Sequence, residues 1–316
     1  MEIAMEIAME IANAMKAIRI HRFGPPEVIV VDDLPTPSPA GGEVLVRVAA
    51  AGVGPWDAII REGRSKVSPQ PPLTLGSDLS GVIHELGPDT SGFEAGDEIY
   101  GVTNQQFCGA QAEYAVASAA MIAPLPRTLN RLQAASAPVI AVTAWQMLHE
   151  YALAKPGDTV LVTGAAGNVG AYVVQLALQA GIRVVAVARS RDEALLRTLG
   201  VETILDAGAP VKMPSVHFLL DTVGGAAVQR CAAAVMPGGK LISIVSPQTL
   251  PQRPDVQSIF FYAEVSTERL RILARLFETG KISARVGSVL PLSEARLAHQ
   301  MLAGAPHKPG KIVLQL

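Results

Sequence analysis

Thr159–Arg191 reads TVLVTGAAGNVGAYVVQLALQAGIRVVAVARSR, and this run decides the fold. Thr159–Thr163 carries no charge, so it has no face that requires water, which suits a strand covered on both sides in a parallel sheet. A glycine-rich turn follows, GAAGNVG over Gly164–Gly170. The helix predicted over Asn168–Ala180 aligns Val169, Tyr172, Val173, Leu176, Ala177 and Ala180 as one apolar stripe. Gly181 stops that helix, and IRVVAVA supplies the next strand. Strand, helix and strand in this order form a right-handed βαβ unit. Its turn directs backbone N–H groups and a helix N-terminus at an incoming pyrophosphate.

Against the dinucleotide spacing GxGxxG, the turn offers Ala165, Gly167 and Gly170. Gly167 stands where backbone approaches phosphate and Gly170 where helix and strand pack closely. Ala166, Asn168 and Val169 complete the candidate phosphate-binding set, and Asn168 is a residue that tolerates left-handed backbone. An acid at the tip of the second strand would hold the ribose 2′-OH of NAD. The tip instead reads Ala188-Arg189-Ser190-Arg191, two guanidinium groups that can pair with a 2′-phosphate and one hydroxyl donor. NADP(H) is therefore the expected cofactor. A structural alternative is that Ser190 and Glu193 form a capping box for the helix through Leu199, leaving the arginines solvated.

At 316 residues the chain exceeds what one core usually supports, so two domains are expected. With 49% hydrophobic and 17% charged residues, it suits a large buried sheet. The net charge of −2 and the lack of a basic run argue against nucleic acid or an anionic membrane as partner. No apolar stretch reaches the ~18 residues of a spanning helix. The two cysteines, Cys108 and Cys231, exclude a framework of several disulfides and fit a reducing, cytoplasmic setting.

Residues 1–14 repeat MEIA three times before Asn13-Ala14. The repeat lacks the basic region of a signal peptide and reads as a tag-like leader, disordered or helical. From Met15 to about 128, short strands recur between Pro and Gly turns (KAIRIHRF, EVIVV, EVLVRVAA, SGVIHEL, DEIYGV, AEYAVA), a β-barrel pattern. Over 129–288 helices alternate with strands (TVLVT, RVVAVA, ETILD, VHFLLD, KLISIV, FFYAEV). Over 289–316 a helix at Ser293–Leu302 and a strand KIVLQL are expected to return to the first domain.

Six segments carry a family resemblance: Leu75–Ile83, Ala95–Gly101, the GAAGNVG turn, Leu220–Gly225, Pro237–Lys240 and Gly310–Val313. Together they resemble the medium-chain dehydrogenase/reductase superfamily, and within it the zinc-independent quinone oxidoreductases related to zeta-crystallin. The resemblance runs from Met15 to Leu316. It implies an α/β fold, a Rossmann-type doubly wound parallel sheet plus a β-rich GroES-like barrel domain. It also implies a cofactor in the cleft between domains and a homodimer through Rossmann sheet edges.

The superfamily's alcohol dehydrogenases hold a catalytic zinc with Cys, His and Cys. Those places match Gly54, Ser77 and Val139, none of which offers a thiolate or imidazole, so no metal is expected. His84 beside Glu85 is read as structural. Without a metal the acceptor must already be electrophilic, which points to a quinone or an α,β-unsaturated carbonyl compound reduced by NADPH. Two alternatives stand beside this: an NADPH-binding protein with little turnover, as in crystallin-like roles, and a zinc alcohol dehydrogenase.

By the same resemblance Thr143 lies on the nicotinamide side, and Val223, Val245, Phe260 and Phe261 line the cofactor path or pack at sheet ends. The sequence departs from the family at Gly54-Pro55-Trp56-Asp57-Ala58-Ile59, where relatives often carry Asn at the first position and Tyr at the last. Trp56 is a candidate apolar wall for an aromatic acceptor, or core. Asp57 is a candidate pocket group, or a helix N-cap.

Overall fold

The computed structural model describes residues 14–209 and 213–316, so the MEIA repeat lies outside the described residues apart from Ala14, which opens the first strand. The chain divides into two compact units, 1–139 with 265–278 and 284–316, and 140–264 with 279–283.

The first unit begins with β1 (Ala14–Ile20), β2 (Ile29–Pro35), β3 (Glu43–Val53), β4 (Leu73–Thr74), β5 (Asp78–Leu86), β6 (Glu98–Val102), β7 (Tyr114–Ser118) and β8 (Ile122–Pro124). β1 pairs antiparallel with β2 and β4. It stops at Ile20 rather than running to Phe23, because Ile20 is already opposite Ile29, where β2 begins. β3 is the hinge of the larger sheet, pairing with both β5 and β7. Alternation along these strands packs Ile18, Val46, Leu79, Ile83, Ile99 and Ile122 into one apolar core. A short helix, Pro55–Arg61, follows β3 directly.

The second unit holds β9 (Thr159–Thr163), β10 (Arg183–Ala188), β11 (Thr203–Asp206), β12 (Val216–Asp221), β13 (Val235–Ser243) and β14 (Gln257–Phe260), all parallel, in the order β11-β10-β9-β12-β13-β14. That is the doubly wound dinucleotide order, with its switch point between β9 and β12. Val160, Leu161 and Val162 on β9 are fully buried, each contributing about 1.5–3 kcal/mol of hydrophobic burial. The glycine turn opens the helix Asn168–Gln179, and Gly181 ends it at φ +71°.

The strand expected at FFYAEV is displaced. β14 ends at Phe260 because Phe261 turns its ring onto Tyr151, at 4.2 Å between centroids, and Glu264 N donates to Gln146 Oε1 at 2.9 Å.

The chain then re-enters the first unit through the helix Thr267–Glu278, β15 (Val286–Pro291), the helix Ala295–Leu302 and β16 (Lys311–Gln315). β16 pairs antiparallel with β3 and parallel with β15, so the closing strand completes the first unit's sheet. The expected division gave 265–278 to the second domain. Its helix is instead held to the first unit by Tyr100 Oη, which donates to Leu270 O at 2.6 Å. Thr267 Oγ1 likewise donates to the carbonyls of Ala119 and Ile122. Residues 129–139 also group with the first unit.

Candidate functional site

The turn after β9 explains its own glycines. Gly164 has φ +64°, and a Cβ there would lie 2.6 Å from both Thr222 Oγ1 and Val223 Cγ2. A Cβ on Gly170 would stand 2.2 Å from Gly164 O, so only glycine lets helix and turn approach this closely. Gly167 is the N-cap and supplies no side-chain acceptor. The first N–H groups of the helix, at Asn168, Val169 and Gly170, therefore point outward beside the Ala166–Gly167 backbone. A Cβ on Gly167 would touch just the Gly164 carbonyl, at 3.1 Å. This cradle fits a pyrophosphate.

A buried acid ties the switch point together. Asp221 at the end of β12 accepts Thr163 Oγ1 at 2.6 Å, Ser243 Oγ at 2.7 Å and Gly224 N at 3.0 Å. These bonds lock the ends of β9, β12 and β13 in register. They also leave Val223 53% and Val245 43% exposed just beyond the strand ends, apolar surface suited to a flat ring system. Sequence reading did not single out Asp221, although it stands within the quoted LDTVGG motif.

The remaining cofactor candidates separate. Thr143 is buried in the helix Pro138–Trp145. Phe260 meets Tyr262 edge-on at 5.0 Å. Phe261 is buried against Tyr151 and packs the unit rather than lining a path. Arg189, Ser190 and Arg191 are exposed beyond β10. The alternative capping box is absent, because the helix Glu193–Thr198 is capped from Asp192 without a side-chain bond and Ser190 Oγ donates to Asp206 Oδ2. Neither arginine forms a salt bridge with a described residue.

In the first unit, Asp57 is neither an N-cap nor a pocket group. It occupies the third position of the helix Pro55–Arg61, fully buried, and its Oδ2 accepts Gly54 N at 2.7 Å. Burial pushes its pKa up to about 7, against the opposing pull of the Gly54 N–H and the Lys311 ammonium. Its role is to position the turn.

Trp56 is held on three sides. Its Nε1 donates to Ser77 Oγ at 2.9 Å, and the Lys311 ammonium lies 3.9 Å from the ring centroid. Its benzo edge fills the space beside Gly54, where a Cβ would lie 2.4–2.6 Å from three ring atoms. Lys311 in turn pairs with Asp78 at 2.8 Å, both buried, and Asp78 Oδ1 accepts Val139 N at 3.0 Å. The indole is thus engaged by Gly54 and Ser77, two of the three positions that the family resemblance matches to zinc ligands, and Asp78 accepts the backbone N–H of the third, Val139.

Glycine, serine and valine do not fit a zinc ion. Among the described residues no group of three or more His, Cys, Asp or Glu can hold a metal. His84 is exposed and packs edge-on against Tyr114 at 5.3 Å. Ile59, at the position where the family resemblance often places tyrosine, is 37% exposed. The Lys311–Asp78 pair was hidden in the sequence because the two residues lie far apart, and nothing in GKIVL marks its lysine as buried. Among the described residues no helix is long and apolar enough to cross a membrane.

Comparisons with known proteins agree with this architecture. Residues 40–127 match the alcohol dehydrogenase GroES-like domain, and residues 199–314 match the zinc-binding dehydrogenase family. The quinone oxidoreductase of Mus musculus is 29% identical over 333 residues, covering 96% of this chain and 98% of that protein. The solved quinone oxidoreductase of Coxiella burnetii is 31% identical with a TM-score of 0.87, covering 96% of this chain and 99% of that one. A cobalt- and zinc-bound thermostable alcohol dehydrogenase from Pyrobaculum aerophilum is 29% identical with a TM-score of 0.84, covering 96% and 100%. The chain belongs to the medium-chain dehydrogenase/reductase superfamily. Within that superfamily it is an oxidoreductase of the quinone oxidoreductase-like group, with a nucleotide-binding sheet of the kind that takes a nicotinamide cofactor.

Proposed function

We propose that the protein is a zinc-independent reductase that passes hydride from NADPH to a quinone or an α,β-unsaturated carbonyl compound. The observation that carries this reading is the seating of the Trp56 indole against Gly54 and Ser77, at positions that in zinc relatives serve the metal. With no ligand set to polarise a simple carbonyl, the acceptor has to bring its own electrophilic carbon.

NADPH, when bound, supplies the hydride. The Gly164–Gly170 turn and the helix N-terminus hold its pyrophosphate, Val223 and Val245 offer it apolar surface, and Arg189 and Arg191 pair with its 2′-phosphate. In the first unit Trp56 is fixed by Ser77 and Lys311, and with Ile59 it offers apolar surface rather than a proton donor. The acceptor's oxygen is protonated from solvent.

Following nicotinamide absorbance with a panel of quinones, enones and simple ketones tests the reading. Oxidation of NADPH by quinones or enones, unaffected by a chelator, is expected. Turnover confined to alcohols and simple ketones would overturn it. A second reading, an NADPH-binding protein with little turnover, is favoured by the burial of Asp57 and the apolar Ile59. Saturable NADPH binding with no oxidation by any acceptor would select it.

A further inference from the structure

The tip of β10 lacks an acid in sequence but not in space. β10 and β11 run parallel with Ala188 opposite Asp206, so the end of β11 delivers its last side chain beside the residues that follow Ala188. The backbone continues the contact, Ala207 N donating to Ala188 O at 2.8 Å. Asp206 is held at both oxygens: Oδ2 accepts the Ser190 hydroxyl and Oδ1 accepts Gly208 N at 2.6 Å. Those two bonds, the hydroxyl first, hold its carboxyl below the usual carboxylate range. From the other side Arg230 Nη2 donates to Ala207 O at 2.8 Å. Glu193, the next acid along the tip besides Asp192, is engaged by Arg197 at 3.1 Å.

Two consequences follow for a ribose arriving at this tip. A serine hydroxyl has one proton to donate, and here that proton is committed to Asp206, so Ser190 has nothing to offer a 2′-phosphate while the pair holds. The fixed carboxylate also places a negative charge against Ser190, the residue between Arg189 and Arg191 in the chain. That charge repels a 2′-phosphate, whereas a neutral 2′-hydroxyl experiences no such repulsion and finds an acceptor.

We propose that Asp206 is a specificity-determining residue that weakens this protein's preference for the 2′-phosphorylated dinucleotide, by charge and by engaging the Ser190 hydroxyl, so that the tip also admits the 2′-hydroxyl form. The inference rests on the reading that the adenosine ribose binds at this tip, with the arginines favouring phosphate and the carboxylate opposing it.

Dissociation constants for NADPH and NADH, measured by calorimetry on the full chain, test it without recourse to turnover. Asp206→Asn keeps an oxygen for Gly208 N–H and removes the charge. It is expected to tighten NADPH binding about fivefold or more, to leave NADH unchanged or weaker, and to lose that gain as salt is raised. Ser190→Ala is expected to leave NADPH within about twofold of the parent. An Asp206→Asn protein whose NADPH affinity is unchanged or weaker, while Arg189→Ala still abolishes the preference for NADPH, sinks the role of Asp206 and leaves the cofactor reading intact. A loss of about tenfold in NADPH affinity in Ser190→Ala would identify the hydroxyl as a phosphate donor and overturn its assignment to Asp206. Equal affinities in the parent, unaffected by Arg189→Ala, would remove the NADPH reading itself.

Discussion

Gly54→Ala is a one-carbon change with a specific expected penalty. Gly54 has φ −134° and ψ 170°, extended backbone that alanine adopts freely, so no conformational strain enters. Its new Cβ would lie 2.4–2.6 Å from three atoms of the Trp56 ring, and the indole has to move. Overpacking of this kind costs about 1–3 kcal/mol. Displacing the ring also loosens its bond to Ser77, worth about 1 kcal/mol, and its contact with the Lys311 ammonium, worth roughly another 1 kcal/mol. Removing a glycine from the unfolded chain returns about 0.4–1 kcal/mol. The expected net loss is about 2–4 kcal/mol. In a Trp56→Ala background the clash is gone, and the same substitution is expected to be neutral or to stabilise by up to about 1 kcal/mol. Equilibrium urea unfolding of the four proteins, followed by circular dichroism, reads the coupling between the two positions. Additive penalties, or a Gly54→Ala protein within about 0.5 kcal/mol of the parent, would refute the argument that the indole occupies the space of the missing side chain.

Three further outcomes follow from the same geometry. Burial holds Asp57 at about 7 in the folded chain against an ordinary 3.8. The stability it contributes is therefore full below about pH 4 and is lost as pH rises toward 7, so the stability of Asp57→Asn relative to the parent is expected to rise from pH 4 to pH 8. A difference independent of pH would refute this. His299 is the opposite case: burial, with Arg61 beside it, lowers its pKa to about 3 from 6.5, and its Nδ1 contacts Arg61 Nη1 at 3.0 Å. Its contribution is present above about pH 6.5 and is lost as pH falls toward 3, so His299→Gln should flatten the acid limb of the stability profile, and an unaltered limb would count against it. Gly170→Ala is expected to destabilise the second unit, because its Cβ meets a carbonyl at 2.2 Å. Gly167→Ala should leave melting nearly unchanged and weaken nucleotide binding about tenfold or more. Melting curves and nucleotide titrations separate the two, and equal effects on both quantities would contradict the division of roles.

The glycine turn of the second unit was legible because it is local. β9, the turn, the helix and β10 lie within one run, so periodicity and spacing suffice, although Thr222 and Val223, the neighbours that require Gly164, follow the end of β12. The cluster around Trp56 in the first unit was not legible. Trp56, Ser77, Asp78, Val139 and Lys311 are scattered along the chain and meet in the folded unit, where β5 pairs with β3 and β16 returns Lys311 to β3, so that the Trp56 ring is held by a cation and a hydroxyl. Asp57 was misplaced for a smaller reason: a carboxylate at the third helical position returns to the N-cap N–H just as readily as an N-cap side chain reaches forward.

The sequence by itself determined the two kinds of domain and the glycine turn after β9, since each depends on residue type and short-range spacing. The tertiary structure decided how those residues are used. It buried Asp57 and Phe261, set Lys311 against Trp56 and brought Asp206 to Ser190 beyond the end of β10. A parallel sheet sets the ends of neighbouring strands side by side across any separation in the chain, and no local pattern encodes which charge will stand there.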